Sequence, residues 1–255
     1  PMIIISGQAA LSFVQYQEET KIRQHGIQGI NIKPLVENFV KYFITVDDAQ
    51  KIEFYLEKAY LEATTGRTGP VWIDVPLDIQ TAMVNERFLE KFYPTEEEVG
   101  RVSLKQAVKQ AYKLLQKAKR PVLLVGQGVG LSGGRTAFYE FANKIRVPVI
   151  TSRLGIDLIE TDNDLYVGRP GNYGERSANF AIQNAALILS VGCRMSSALI
   201  GHNPKMFGKN AYIFSVDIDQ KESDKPGANL TYKAQADAKK KFKKMLEQLL
   251  DQNLP

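Results

Sequence analysis

Short apolar runs separated by longer amphipathic segments are the main pattern of residues 103–255. The first run, 122–125, leads into a glycine-rich stretch at 126–134. Three more apolar runs follow, separated by segments of helical length: 147–150, 186–191 and 211–216. Short, continuously apolar runs are typical of parallel strands buried on both faces. The alternation therefore predicts a doubly wound, Rossmann-like parallel sheet.

Two intervening segments have the periodicity of helices that pack one face on a sheet. The first follows Ser103 and has an apolar face formed by Leu104, Ala107, Val108, Ala111, Tyr112, Leu115 and Ala118. The second is expected to begin at Ser132, whose hydroxyl is a suitable N-cap. Its apolar face comprises Phe138, Phe141, Ala142 and Ile145.

A smaller version of the pattern precedes this region. We expect strands at 2–5, 42–46 and 71–75, with 2–5 as a core strand, and a short helix at 34–40. A parallel α/β domain seldom begins with a central strand. The abrupt start at 2–5 therefore predicts that upstream chain has been removed.

One longer helix is predicted between these strands. Asp47 is expected to cap it, with Gln50 in the capping-box position. Gly66 ends it, and its apolar face comprises Ile52, Leu56, Ala59, Tyr60 and Ala63. Residues 6–28 are polar and turn-like, which predicts a loop.

A linker is predicted at 83–102. This segment loses apolar periodicity and contains Pro94 and a run of glutamates at 96–98. The predicted organisation is therefore a first domain at 1–82, the linker, and a second domain at 103–255. The predicted fold class is α/β, with flanking helices on parallel sheets and six strands in the second domain.

Composition narrows the functional classes. The chain has 255 residues, 44% hydrophobic and 24% charged, which is typical of a globular protein. No apolar stretch is long enough to span a bilayer and no signal-like segment is present, so we expect a cytoplasmic protein without membrane association. The single cysteine, Cys193, excludes an intrachain disulfide and is expected to be a buried thiol. With only two histidines beside it, no metal site is expected.

The net charge of +5 owes most to lysines within 239–244. Apolar residues recur among and after them at helical spacing: Phe242, Met245, Leu246, Leu249 and Leu250. We interpret the lysines as the solvated face of a helix and expect no binding to nucleic acid.

The glycine-rich turn is a candidate nucleotide site. Gly126, Gly128 and Gly130 lie between a buried strand and a predicted helix, where free backbone N–H groups attract phosphate. The three glycines do not complete the GxGxxG pattern. A tight turn without a ligand is the alternative.

The segment 66–80, GRTGPVWIDVPLDIQ, resembles the end of the pyrimidine-binding domain in thiamine-diphosphate enzymes of the acetolactate synthase group. Further segments fit the same alignment: Ser6-Gly7-Gln8, 23–28, 47–63, 168–174, 191–194 and 216–219. The resemblance covers essentially the whole chain. It implies that 1–82 is the later part of an α/β pyrimidine-binding domain and that 103–255 is the central domain.

The resemblance also implies an activity for the parent enzyme. Such enzymes use thiamine diphosphate and Mg²⁺ to decarboxylate a 2-oxo acid, here expected to be pyruvate, and ligate the enamine to a second carbonyl compound. The family glutamate that protonates the cofactor would precede residue 1, and the Gly-Asp-Gly metal motif would follow residue 255. We therefore expect a homodimeric or homotetrameric parent, and no activity from residues 1–255 alone.

One catalytic candidate follows from the resemblance. Gln28 matches a family glutamine near the active site at a subunit interface, where its amide is expected to donate to a substrate carboxylate. A loop glutamine bonded to backbone is the alternative, and Gly29 stands where the family often has an acidic residue. His25 is a general-base candidate or a surface residue.

Cofactor candidates follow for the central domain, which carries FAD in acetolactate synthases. Gly126, Gly128 and Gly130 would approach its pyrophosphate, Arg194 would pair with it, and Asp217 or Asp219 would accept ribose hydroxyls. Flavin-binding members usually have a second arginine shortly after the position of Arg194, whereas Met195-Ser196-Ser197-Ala198 follows here, which favours a flavin-free relative. The alternative hypothesis for the whole chain is a non-catalytic module that binds FAD, NAD or ADP or serves assembly.

Overall fold

The chain folds into two compact units, residues 1–97 (unit 1) and 98–255 (unit 2). The structure, a computed structural model, describes residues 1–94, 104–236 and 247. The boundary between the units lies within 83–102, a segment that also contains a 3₁₀ turn at Glu86–Phe88. The division into pyrimidine-binding domain, linker and central domain stays a prediction.

Unit 1 contains a three-stranded parallel sheet in the order β1-β3-β2. In the central strand, Val71 and Ile73 are fully buried and pack on a helix through Ala59 and Ala63. The elements of unit 1 are β1 (Met2–Gln8), α1 (Leu11–Thr20), α2 (Lys33–Val36), β2 (Tyr42–Thr45), a 3₁₀ turn (Ala49–Lys51), α3 (Ile52–Thr64), β3 (Pro70–Pro76) and α4 (Leu77–Thr81).

Strand β1 lies at the edge of the sheet formed by the described residues, and its place as a core strand of a longer chain stays a prediction. The side chains of Met2, Ile3 and Ile5 are 60%, 41% and 62% exposed. The residue types of an apolar run predict a strand. For the side chains of that strand to be buried, other elements must also pack on both sides of it.

The prediction of a loop across 6–28 is also wrong in part, because α1 occupies its middle. Only Val14 and Gln17 of α1 are buried. With so few buried positions, this helix leaves little apolar periodicity in the sequence, and the polar composition of the segment concealed it.

Asp48, not Asp47, provides the cap, and it caps the 3₁₀ turn Ala49–Lys51 that leads into α3. Asp48 accepts a hydrogen bond from the backbone N–H of Gln50 at 2.9 Å. Asp47 instead accepts one from the Tyr55 hydroxyl at 2.6 Å. The helix accordingly buries Tyr55, whereas Tyr60 on the predicted apolar face is 63% exposed.

Unit 2 contains a six-stranded parallel sheet in the order β6-β5-β4-β7-β8-β9. Its helices and strands are α5 (Leu104–Lys117), β4 (Pro121–Val125), α6 (Gly128–Leu131), α7 (Arg135–Ile145), β5 (Val149–Thr151), β6 (Tyr166–Gly168), α8 (Arg176–Asn184), β7 (Leu187–Val191), α9 (Ser197–Ile200), β8 (Tyr212–Asp217), α10 (Gln220–Asp224) and β9 (Tyr232–Gln235), with 3₁₀ turns at Arg153–Leu158 and Pro204–Met206.

Both faces of this sheet are covered, which confirms the predicted parallel α/β fold. Alternate residues of β4 feed two separate cores: Leu123 and Val125 join one, while Val122 and Leu124 join the other. The four predicted apolar runs correspond to β4, β5, β7 and β8. The outer strands β6 and β9 are short and carry too few apolar residues to give a comparable signal.

Ser132 does not cap a helix at its N-terminus, contrary to the prediction. It follows the short helix α6, and its hydroxyl donates to the Val129 carbonyl at 2.7 Å. Helix α7 begins after Gly134 instead. Its predicted apolar face is confirmed, because Phe138, Phe141 and Ala142 are buried and Ile145 packs on the same core.

Within the described residues, no helix is long and apolar enough to cross a bilayer. The helix predicted around the lysines of 239–244 lies outside the described residues, so its solvated face stays a prediction.

Candidate functional site

The topology of unit 2 defines one region where a ligand is expected. The chain runs from β4 outward to β5 and β6, then returns to β7 on the other side of β4. Such a reversal of strand order creates a crevice beyond the carboxyl ends of the two adjacent strands. The glycine turn after β4 and Arg194 after β7 both lie at this edge of the sheet.

The turn after β4 and the turn after β7 are in backbone contact, and this contact explains why Gly126 and Gly128 are glycines. Gly126 N–H donates to the Val191 carbonyl at 3.0 Å, and Gly128 N–H donates to the Gly192 carbonyl at 3.1 Å. A Cβ on Gly126 would lie 2.2 Å from the Gly192 oxygen, and one on Gly128 would lie 2.8 Å from the Gly192 Cα. Both positions require glycine because the turns touch, whether or not a ligand binds.

Gly130 differs from its two neighbours. The nearest atom to a Cβ at this position would be in the Arg135 guanidinium, 3.6 Å away. Packing therefore does not demand glycine here. The contact of these glycines with a pyrophosphate stays a prediction.

Arg194 takes part in a cluster of charges after β7. Its Nε donates to Glu222 at 2.8 Å, and Lys225 Nζ donates to the other oxygen of that carboxylate at 2.5 Å. Lys225 also donates to the Arg194 carbonyl at 2.6 Å. The Glu222 side chain is 11% exposed and the Arg194 side chain 69% exposed. Glu222 therefore pairs with the Nε side of the Arg194 guanidinium, and the pairing of Arg194 with a pyrophosphate stays a prediction.

The two aspartates predicted to bind ribose hydroxyls shape the turn after β8. Asp217 accepts from the backbone N–H of Asp219 at 3.0 Å. Asp219 caps α10 by accepting from the N–H of Lys221 at 2.9 Å. Local backbone geometry thus accounts for one acceptor bond at each residue, and their role towards a nucleotide stays a prediction.

Cys193 lies directly after the touching turns and is buried, as predicted from sequence. Burial raises the pKa of its thiol from 9.0 to about 11. The thiolate is the reactive form of cysteine, and it is scarce at neutral pH in such a site.

We expect Cys193 to resist alkylation by iodoacetamide at pH 8 while the protein is folded. Because the pKa of this thiol is higher in the folded than in the unfolded chain, its contribution to the free energy of unfolding is complete below pH 9.0. That contribution is lost as the pH rises towards about 11. Mass spectrometry would follow the adduct, with urea-unfolded protein as the reactive control. Rapid modification of the folded chain would contradict the prediction.

Gln28 lies in unit 1, in a loop at residues 23–30 that we call the Gln28 loop. It has a left-handed φ of 64° and is exposed, as is Ile27, whose side chain is 91% exposed. A non-glycine residue in this conformation costs about 1–3 kcal/mol and persists only when its surroundings impose it. Gly29 contributes, because a Cβ there would lie 2.1 Å from the His25 carbonyl oxygen.

Three attachments hold the Gln28 loop. At its start, the Gln17 amide donates to the Arg23 carbonyl at 2.8 Å. In its middle, the ring of His25 lies 4.5 Å from that of Phe13 and 5.0 Å from that of Tyr16, measured between centroids. These rings give His25 a packing role, and its role as a base stays a prediction.

The third attachment joins the end of the Gln28 loop to the sheet. Gln8, the last residue of β1, donates through Nε2 to the Ile30 carbonyl at 2.7 Å and to Asp74 Oδ2 at 3.0 Å. Asp74 is 2% exposed. Sequence analysis assigned no role to either residue. One feature of the sequence could have indicated them: both are polar residues near the carboxyl ends of predicted strands. Gln8 lies on β1 and Asp74 on β3, which pair in the sheet.

The described residues form no cluster of ligating side chains that could hold a magnesium ion by itself. Among residues 1–94, 104–236 and 247, no group of three or more His, Cys, Asp or Glu side chains is placed to bind a metal ion. The donors expected for Mg²⁺ are carboxylate and carbonyl oxygens. The side chains described here therefore do not include a complete set of protein ligands for that metal ion.

A cavity of about 290 Å³ lies at the opposite edge of the unit 2 sheet. It is lined by residues at the amino ends of β4, β7 and β8 and by the end of α5: Leu114, Lys117, Ala118, Lys119, Arg120, Ala186, Leu187 and Tyr212. None of the predicted site residues lines it.

A sequence profile of the thiamine pyrophosphate enzyme central domain matches residues 108–249. The chain therefore belongs to the thiamine pyrophosphate enzyme family, as the resemblance indicated. This family implies thiamine diphosphate as the cofactor.

Several curated relatives are large subunits of acetolactate synthase. A probable acetolactate synthase large subunit of Methanococcus aeolicus is 30% identical over 256 residues, covering 98% of this chain and 40% of the relative. The isozyme 2 large subunit of Escherichia coli (strain K12) is 31% identical over 226 residues, covering 88% and 39%. The chain thus spans about two fifths of the length of these relatives.

Proposed function

We propose that this protein is an acetolactate synthase-like enzyme that decarboxylates a 2-oxo acid and joins the product to a second carbonyl compound. Pyruvate is the first candidate substrate. The observation that carries the proposal is the extent of the similarity: the match to the Methanococcus aeolicus relative covers 98% of the chain and so includes both units. A nucleotide-binding module alone would need only unit 2.

Gln28 is the residue through which this chain would contact the substrate. Its amide is exposed at the tip of a loop that is attached at both ends, so little conformational entropy is lost when a ligand binds. A primary amide offers two N–H donors to a carboxylate. The chain's part in the reaction would then be to orient the 2-oxo acid by its carboxylate.

Assembly as a homodimer or homotetramer belongs to the same proposal. The resemblance implies that the glutamine matching Gln28 is at a subunit interface. Large apolar side chains in the loop and in the segment that follows it in sequence are exposed: Ile27 (91%), Leu35 (61%) and Phe39 (56%). If these side chains form one continuous patch, that patch would be a surface for a second copy of the chain.

The decisive experiment is an assay of the protein encoded by the complete gene, with pyruvate, thiamine diphosphate and Mg²⁺. We expect acetolactate and carbon dioxide as products. We expect Gln28→Met to raise the KM for pyruvate by about tenfold or more, since a hydrogen bond to a charged group contributes roughly 1.5–3 kcal/mol. Gln24→Met, an exposed glutamine in the same loop, is the matched control and should retain the wild-type KM.

Two results would contradict the proposal at different levels. Absence of carbon–carbon bond formation from any tested 2-oxo acid would overturn the activity. Acetolactate formation with equal KM values for Gln28→Met and Gln24→Met would uphold the activity and overturn the role of Gln28.

A further inference from the structure

Gln28 keeps an unfavourable backbone conformation although its own side chain is exposed. Gln28 has a φ of 64° and Gly26 a φ of 78°, and Gln28 itself is exposed. Solvent does not impose such a conformation on a glutamine. The constraint must therefore come from the contacts that hold the loop, which are the rings around His25 in its middle and the hydrogen bonds at its two ends.

Gln8 forms hydrogen bonds through every part of its side-chain amide. Besides the two bonds donated by Nε2 to the Ile30 carbonyl and Asp74, its Oε1 accepts from Ala9 N–H at 2.9 Å and from Ile30 N–H at 3.5 Å. Both backbone polar groups of Ile30 therefore bind one side chain. The position of Ile30, two residues after Gln28, is fixed relative to β1.

Asp74 decides which way the Gln8 amide faces. An ionised carboxylate only accepts hydrogen bonds, so the nitrogen of Gln8 must point to it. Asp74 is held in turn, because its Oδ1 accepts from the Ser6 hydroxyl at 2.6 Å, and that hydroxyl oxygen accepts from Trp72 Nε1 at 2.7 Å. With the Gln8 amide fixed in this orientation, its second N–H donates to the Ile30 carbonyl and its oxygen accepts from the Ile30 N–H.

We propose that Gln8, oriented by the buried Asp74, is a positioning residue that holds the Gln28 loop in its left-handed conformation and so directs the Gln28 amide towards the substrate. The inference rests on the proposed function for the substrate role of Gln28. The attachment of the loop itself rests only on the hydrogen bonds of unit 1.

Gln8→Met in the complete enzyme tests this role. Methionine keeps the length of the side chain and loses all four hydrogen bonds. We expect the KM for pyruvate to rise about fivefold to tenfold, the scale of one lost hydrogen bond, with a smaller change in kcat. The double variant Gln8→Met/Gln28→Met should be no worse than Gln28→Met, because the two changes would remove the same interaction.

Gln80→Met is the matched control. Gln80 is also in unit 1, and its Nε2 donates to the Val75 carbonyl at 2.7 Å, but no hydrogen bond joins it to the Gln28 loop. Gln8→Asn, which is too short to reach Ile30 and Asp74 together, is a second and milder variant should Gln8→Met not fold.

Amide hydrogen exchange across residues 23–31, measured by mass spectrometry, tests the attachment of the loop by Gln8 separately from the substrate role of Gln28. Faster exchange in Gln8→Met than in Gln80→Met supports the attachment, and equal exchange with equal KM overturns the proposal. Faster exchange with wild-type KM values in both Gln8→Met and Gln28→Met supports the attachment and overturns the substrate role of Gln28. Additive KM effects in the double variant would overturn the positioning role.

Discussion

Replacement of Gly126 by alanine is expected to destabilise unit 2 by about 3 kcal/mol or more, the upper range for overpacking a rigid site. The added Cβ would lie 2.2 Å from the Gly192 oxygen and 2.6 Å from the Cys193 Cα. Both are backbone atoms of the turn after the adjacent strand, so no side-chain rotation relieves the clash. Relief would require β4 and β7 to separate at the centre of the sheet.

Gly130→Ala is the control for this prediction. Its Cβ would have no neighbour closer than 3.6 Å, and alanine in a helix is favoured over glycine by up to about 1 kcal/mol. We expect this variant to be as stable as the wild type or slightly more so. If Gly130 approaches a nucleotide phosphate, Gly130→Ala should lower nucleotide affinity in a folded protein.

Urea unfolding would measure both variants with two probes. The single tryptophan, Trp72, lies in β3 and reports on unit 1, whereas far-ultraviolet circular dichroism reports on both units. Gly126→Ala should lower the dichroism midpoint attributable to unit 2. Identical midpoints for Gly126→Ala and Gly130→Ala would contradict the close approach of the two turns.

The second large effect concerns the cofactor. Residues 1–255 prepared alone are expected to show no binding of thiamine diphosphate with Mg²⁺ in a calorimetric titration, and no turnover of pyruvate. The described side chains include no group of three or more His, Cys, Asp or Glu placed to bind a metal ion, and the resemblance implies that the cofactor's glutamate and Gly-Asp-Gly motif lie outside this sequence. A diphosphate without its metal loses its main electrostatic anchor.

The protein from the complete gene, titrated under the same conditions, is the positive control and should bind the cofactor. Stoichiometric binding to residues 1–255 alone would contradict the prediction. It would indicate that the turn at Gly126 to Gly130 or the Gln28 loop forms a diphosphate site from backbone N–H groups.

Sequence by itself determined the fold class and the central strands. The runs that became β4, β5, β7 and β8 are continuously apolar because both of their faces are covered, and that requirement is visible in any single strand. The helix faces of α5 and α7 were predictable for the same reason, as were the burial of Cys193 and the family. Strands β6 and β9 gave no comparable signal because they are short and have few apolar residues. Helix α1 gave none because it buries only Val14 and Gln17.

Only the tertiary structure showed the structural roles of individual residues. In the sequence, Gly126 resembles a phosphate-binding glycine. In the structure, glycine is required there because the turn touches Gly192, which is 66 residues further along the chain. Gln8 and Asp74 became a pair only when β1 and β3 aligned in parallel. Such contacts depend on the register of distant strands, whereas local patterns record only which side of an element is buried.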